Sequence, residues 1–157
     1  MATSSISQQS LDASSKRALG ASSNRALELA LAAARTAADN RGRDIVVIDL
    51  RAVTPEFDYF VLATGSSRRQ LHAMSEEIDH KLEDELGDHR LGVEGYVESR
   101  WILLDYGNVV IHLFESDARE FYSLEQLWCM AKRVPLEGVI APQIEPRAAL
   151  AAHHRDE

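Results

Sequence analysis

The segment Thr64-Gly65-Ser66-Ser67-Arg68-Arg69 joins an apolar run to an amphipathic one. A strand-to-helix turn built from glycine, hydroxyls and arginines can hold an anion on the free amides of a helix start. It is not a phosphate loop, because the second glycine and the lysine at the required spacing are missing. Nucleotidyl transfer can use a Gly-Ser turn of this kind, but needs closely spaced carboxylates on the next strand to hold magnesium. Here the turn leads into a long helical pattern whose acids, Glu76, Glu77 and Asp79, match its solvated face. The plainer reading is a capped helix start with exposed arginines.

Six histidines prompt a search for a metal site. His72 and His80 lie about 12 Å apart by helical rise, too far to share an ion. His72 and Glu76 can meet on one helix face, yet two ligands do not make a site. His112 falls in a strand pattern, where it packs or faces a partner. His153 and His154 lie near the end of the chain. Cys129 follows Trp128 at a helix end, where no positive helix terminus lowers its pKa. Ser66 lacks the glycine pattern of a nucleophile elbow, and no glycine-rich dinucleotide fingerprint follows either early strand. By elimination the residues disfavour an enzyme, and no catalytic residue, metal or cofactor is assigned.

The elements that would position these residues follow from periodicity. Ser22, Ser23 or Asn24 can cap a helix carrying Leu27, Ala30, Leu31, Ala34 and Ala37 at helical spacing, with Asn40 and Gly42 ending it. Asp44 to Leu50 is a β-branched run typical of a buried strand. Tyr59 to Thr64 forms a second strand. Ser66 or Ser67 caps the next helix, whose stripe is Leu71, Met74, Ile78, Leu82 and Leu86, with Gly87 as its stop. A short strand is expected near Val93 to Val97. Trp101 to Asp105, a turn at Tyr106-Gly107-Asn108, and Val109 to Phe114 read as a hairpin. Ser116 or Asp117 caps a last helix, with Glu120 completing a capping box and Phe121, Leu124 and Trp128 on its apolar side. The expected fold is α/β: a single mixed sheet of about five strands flanked by helices.

A chain of 157 residues suits one domain. We expect a folded unit at 24–136, a Ser/Ala-rich disordered tail at 1–23 and a flexible tail at 137–157. The first tail also faintly resembles an organelle transit peptide. The longest apolar runs are too short to span a bilayer, so no membrane is expected. One cysteine excludes an internal disulfide and fits a reducing compartment. The net charge of −8 argues against a large grip on nucleic-acid phosphates. It suits either a basic protein surface or plain solubility.

A surface argument remains. On the hairpin, Ile102 and Leu104 point to one side and read as core. Trp101, Leu103 and Asp105 point to the other, a mixture of aromatic, aliphatic and charge that fits a protein-binding patch. A further helix covering this face would explain the same residues.

Several segments together resemble successive motifs of the Iojap/RsfS family. They are Asp44-Ile-Val-Val-Ile-Asp-Leu50, Asp58-Tyr-Phe-Val-Leu-Ala-Thr-Gly65, Ser67-Arg-Arg-Gln-Leu-His72 and Glu94-Gly95. Trp101-Ile-Leu-Leu-Asp-Tyr-Gly-Asn-Val-Val-Ile-His112 follows, then Ala118-Arg-Glu-Phe-Tyr122 with Leu124-Glu-Gln-Leu-Trp128. The similarity runs from about Leu27 to Val134. It implies a fold related to nucleotidyltransferases without their active site. It also implies a non-enzymatic silencing factor that binds the large-subunit ribosomal protein numbered fourteen. Such binding blocks joining of the small subunit and lowers translation when nutrients are scarce. An assembly role through the same contact, a cytoplasmic location and a possible homodimer are further implications, whereas a nucleotidyltransferase-like enzyme is the alternative from another class.

Mapped onto this chain, the partner surface comprises Trp101, Leu103, Asp105, Tyr106 and Gly107, with Arg119 and Tyr122 as second-tier members. Trp101 and Leu103 would be apolar anchors and Asp105 would meet a basic side chain. Tyr106 would pack at the rim, while Gly107 allows the turn. Asn108 departs from the Asp that the family pattern often carries there; it keeps the turn geometry and loses a charge.

Overall fold

The computed structural model describes residues 4–143, with side chains described from Ser22 onward. The tail expected at 137–157 falls mostly on 144–157, outside the described residues. So do the first three residues, and the side chains before Ser22, of the tail expected at 1–23.

Helix α1 (Ser4–Asp39) leads into β1 (Arg43–Asp49) and β2 (Tyr59–Gly65). Helix α2 (Arg68–Asp79) continues as a π-helical turn at His80–Glu85. Strands β3 (Gly92–Glu94), β4 (Trp101–Asp105) and β5 (Val109–Glu115) follow. Then come α3 (Ser116–Tyr122), α4 (Leu124–Leu127) and β6 (Lys132–Arg133). The strands form one mixed sheet of order β3-β4-β5-β2-β1-β6. Only the central β2–β5 pair is parallel. The sixth strand, absent from the expected five, is a two-residue edge beside Ile48 and Asp49. So short a run leaves no periodic signal.

The sheet separates two apolar layers. On one face α1 and α2 cover Val47, Val61, Ile102, Leu104 and Ile111. The expected stripe of α2 is largely buried, with Leu71, Met74, Ile78 and Leu82 at 1% exposure or less. On the other face Ile48, Phe60, Leu62, Val110 and Phe114 pack under Ala118, Leu124 and Trp128. This second cover consists of two short helices, and it leaves Trp101 and Leu103 only partly buried. Among the described residues no helix is long and apolar enough to cross a membrane.

Three local expectations fail for identifiable reasons. Helix α1 runs straight through Ser22, Ser23 and Asn24. The Ser23 hydroxyl instead accepts a bond from Arg51 at 3.0 Å, and flanking Ala and Leu favour continuation of the helix. Helix α3 has no capping box: β5 enters it directly, Glu115 occupies the N-cap without a side-chain bond, and Ser116 is already helical. Phe121 is not on the buried side of α3, since Ala118 takes that position at 2% exposure and Phe121 is 81% exposed.

Candidate partner-binding face

The Thr64–Arg69 turn takes the plainer of its two forms. Ser67 caps α2 by accepting the Gln70 amide at 3.1 Å. The Gln70 side-chain Oε1 accepts both the Ser66 amide and the Ser66 hydroxyl at 2.6 Å. Its NH2 group donates to the carbonyls of Asn40 and Arg41 at 3.2 and 2.9 Å. The turn therefore ties α2 to the end of α1. Two acids of α2 are also engaged internally: Glu76 accepts from the Tyr96 hydroxyl, and Asp79 accepts from Tyr106 and pairs with Arg90.

The hairpin places its residues as alternation requires, with Ile102 and Leu104 buried and Trp101, Leu103 and Asp105 partly exposed on the opposite face. Register sets Trp101 across from Phe114, Leu103 across from His112 and Asp105 across from Val110. The Trp101 ring lies 5.0 Å from Phe114 in a stacked arrangement and 4.6 Å from Tyr122. Its indole N–H donates to His112 Nδ1 at 3.1 Å.

Tyr122 is half exposed beside Trp101, and Phe121 stands out next to it. A groove of about 470 Å³ runs between the 95–100 loop and α3. Trp101, Phe121 and Tyr122 form its apolar side, with Glu98 and Arg100 at its polar side.

The remaining expected residues occupy different settings. Asp105 accepts the Gly107 amide at 2.8 Å, so one carboxylate oxygen already holds the turn. Gly107 sits at φ +85°, which explains the glycine. Tyr106 is not at a rim: it is buried among the α2 side of the core, and its hydroxyl donates to Asp79 at 2.5 Å. Burial, and then this carboxylate, push the phenol pKa well above its ordinary range. Arg119 lies under α3, donating to Thr64 Oγ1 at 3.0 Å and to Glu125 through two nitrogens. It is therefore mostly a bridge from α3 to the sheet and to α4.

The structure thus brings Trp101, Leu103, Asp105 and Tyr122 to one face and places Tyr106 on the other. Sequence reasoning missed the exposed Phe121, Leu127 and Met130. An amphipathic pattern over so short a helix cannot show which side meets the sheet.

Fold and face together define a mixed-sheet α/β protein with a partly open aromatic patch beside its β4–β5 hairpin. The chain belongs to the family described as ribosomal silencing factor during starvation (RsfS), whose model matches residues 23–157. It is 36% identical over 114 residues to the ribosomal silencing factor RsfS of Halalkalibacterium halodurans, covering 73% of this chain and 97% of that one. A Mus musculus protein named mitochondrial assembly of ribosomal large subunit protein 1 is 38% identical over 91 residues, covering 56% of this chain and 40% of that one. A crystal structure of a Chromobacterium violaceum protein matches with a TM-score of 0.64 at 34% identity, covering 66% of this chain and 86% of that one.

Proposed function

We propose that this chain is a non-enzymatic ribosomal silencing factor. It binds the large ribosomal subunit through the ribosomal protein numbered fourteen, keeps the small subunit from joining and so lowers translation in scarcity. The observation that carries this reading, beside family membership, is the partly open aromatic patch of Trp101 and Tyr122. Aromatic anchors with a polar surround are the residues that dominate binding energy in protein interfaces. Exposed acids on the flanking loop and α3, namely Glu98, Asp117 and Glu120, suit a basic partner. Trp101 and Leu103 serve as anchors, Asp105 offers its remaining oxygen to a cation, and Tyr122 extends the apolar surface. Tyr106 and Gly107 contribute by shaping the hairpin, and Arg119 by fixing α3. The same reading places the chain in the cytoplasm and allows a homodimer that reuses the patch.

The name of the mouse relative supports a second reading, in which the same contact assists large-subunit assembly. Sedimentation of purified subunits under joining conditions tests the first. Wild type is expected to comigrate with the large subunit and deplete joined ribosomes, whereas folded Trp101→Ala does neither. Joined ribosomes left intact by a bound wild type would favour assembly, and absence of binding would sink both.

A further inference from the structure

His112 is the one strongly buried histidine of the sheet, 4% exposed between Leu103 on β4 and the Phe60 ring, 4.6 Å away. Its Nδ1 accepts the Trp101 indole N–H. That bond needs an unprotonated Nδ1, so the ring proton resides on Nε2. Among the described residues Nε2 is the buried side-chain nitrogen or oxygen left without a partner. A buried N–H with no acceptor is unfavourable, and an apolar side chain of the same volume would avoid that penalty. Core stability alone therefore does not account for the imidazole. Its single hydrogen bond goes to the side chain at the centre of the open patch.

We infer that His112 is a positioning residue for the partner-binding face: it fixes the Trp101 indole and consumes its donor, so that a partner meets only the ring's carbon surface. This inference rests on the proposed use of Trp101 as an anchor. Phe114 stacks beneath the indole and Tyr122 flanks it, but neither ring accepts its N–H in a conventional hydrogen bond. Without the imidazole, the N–H turns toward solvent and the ring turns with it. Holding the ring in place beforehand lowers the ordering cost at binding. A partner matched to this face presents apolar atoms to Trp101 and needs no acceptor there.

The test compares full-length wild type with His112→Leu, which keeps the volume and lacks the acceptor, and His112→Asn, whose Oδ1 can stand where Nδ1 stood. The Trp101 indole proton, assigned by its loss in Trp101→Phe, is followed by NMR for solvent exchange, and large-subunit affinity is measured by co-sedimentation. In His112→Leu exchange is expected to speed up and affinity to fall about fivefold, the worth of roughly one hydrogen bond. His112→Asn is expected to recover most of both, and His112→Leu to be no less stable than wild type. Unchanged indole exchange in His112→Leu overturns the inference. So does a clearly less stable His112→Leu, because the ring would then serve the core. Unchanged affinity with a freed indole also overturns it, provided wild type binds. If wild type binds no large subunit while the indole responds as expected, the proposed function fails and the fixing of Trp101 by His112 stands.

Discussion

Replacing Gly95 with alanine should be among the most damaging single-methyl changes in this chain. Gly95 has φ +73°, and an added Cβ would lie 2.0 Å from the Trp101 carbonyl oxygen and 3.1 Å from its carbonyl carbon. These are main-chain atoms of β4, so no side-chain rotation relieves the contact. The first contact must open by about 1 Å to reach the 3.0 Å below which real Cβ contacts essentially never fall. The positive φ alone costs a non-glycine residue about 1–2 kcal/mol. The Gly95 carbonyl also accepts the Ser99 amide at 2.9 Å, while the Tyr96 carbonyl is held by His72 at 2.7 Å and Ser99 at 2.8 Å. The loop thus cannot drift from β4 without breaking its link to α2. Adding displacement of a strand to the φ cost gives about 3–4 kcal/mol, at the severe end for a point mutation.

Gly138 supplies the control, because it has φ +77° and nothing within 4 Å of its added Cβ. Gly138→Ala should lose only the conformational part, about 1–2 kcal/mol. Urea denaturation followed by far-ultraviolet circular dichroism measures both without relying on Trp101 fluorescence. With a slope of about 2 kcal/mol per molar urea, Gly95→Ala should lower the midpoint by about 2 M and Gly138→Ala by about 0.5–1 M. A Gly95→Ala midpoint matching that of Gly138→Ala would refute the steric argument.

Tyr106→Phe should cost about 1–2 kcal/mol in urea denaturation, since it removes a buried bond to Asp79, which keeps Arg90. Because the folded phenol pKa is raised, wild-type stability should be fully present below about pH 10 and fall as pH rises beyond it. Tyr106→Phe should flatten that alkaline slope. Burial, and secondarily the Arg119 cation, lower the His112 pKa from 6.5 to about 3. Keeping the ring neutral therefore costs no stability above pH 6.5 and progressively more as pH falls toward 3, and acid titration of His112→Leu should lack this part of the loss. Leu104→Ala, at 0% exposure, should destabilise by about 2–5 kcal/mol, whereas Leu103→Ala should cost less stability and more subunit affinity; equal stability losses would contradict the two-faced hairpin.

Where local rules and the global fold agree, the sequence was readable. Alternation from Trp101 to Asp105 and the glycine at 107 defined the hairpin closely, because cross-strand pairing and a positive φ both act over a few residues. The stripe Leu71, Met74, Ile78 and Leu82 emerged from helical spacing alone. Tertiary choices were not readable in this way. Ser23 can cap a helix or reach Arg51, and which it does depends on a turn residue lying 28 residues further on. Tyr106 is the exception: it continues the Ile102 and Leu104 side of the alternation toward α2, and only the resemblance placed it at the rim. His112 lies among apolar strand neighbours, and nothing local shows that its acceptor meets Trp101 across the hairpin. The resemblance to a family located the patch; pattern alone left a covering helix as an equal explanation. In the structure α3 and α4 cover part of the face, with Tyr122 of α3 against the Trp101 ring, and leave Trp101 and Leu103 partly exposed.

That partial cover has a physical logic. A fully buried Trp101 would add to the core but present nothing to a partner. A fully exposed one would be free to sample rotamers that binding must then exclude, at roughly 0.5–1.5 kcal/mol for a side chain immobilised at an interface. Here the ring is backed by Phe114, flanked by Tyr122, tied by His112 and followed by a carbonyl against which Gly95 packs. Much of its ordering is thus completed during folding, where the sheet and its two helical layers hold it. On the proposed function, the exposed acids Glu98, Asp117 and Glu120 would act at longer range, raising encounter rates with a basic surface in a salt-dependent way, while the fixed ring would govern how long the complex lasts. Raising salt should therefore slow association of the wild-type chain more than it hastens dissociation, and Trp101→Ala should do the reverse. A single variant that changed both rates equally would mean that charge and ring act as one unit, contrary to their separation on this face.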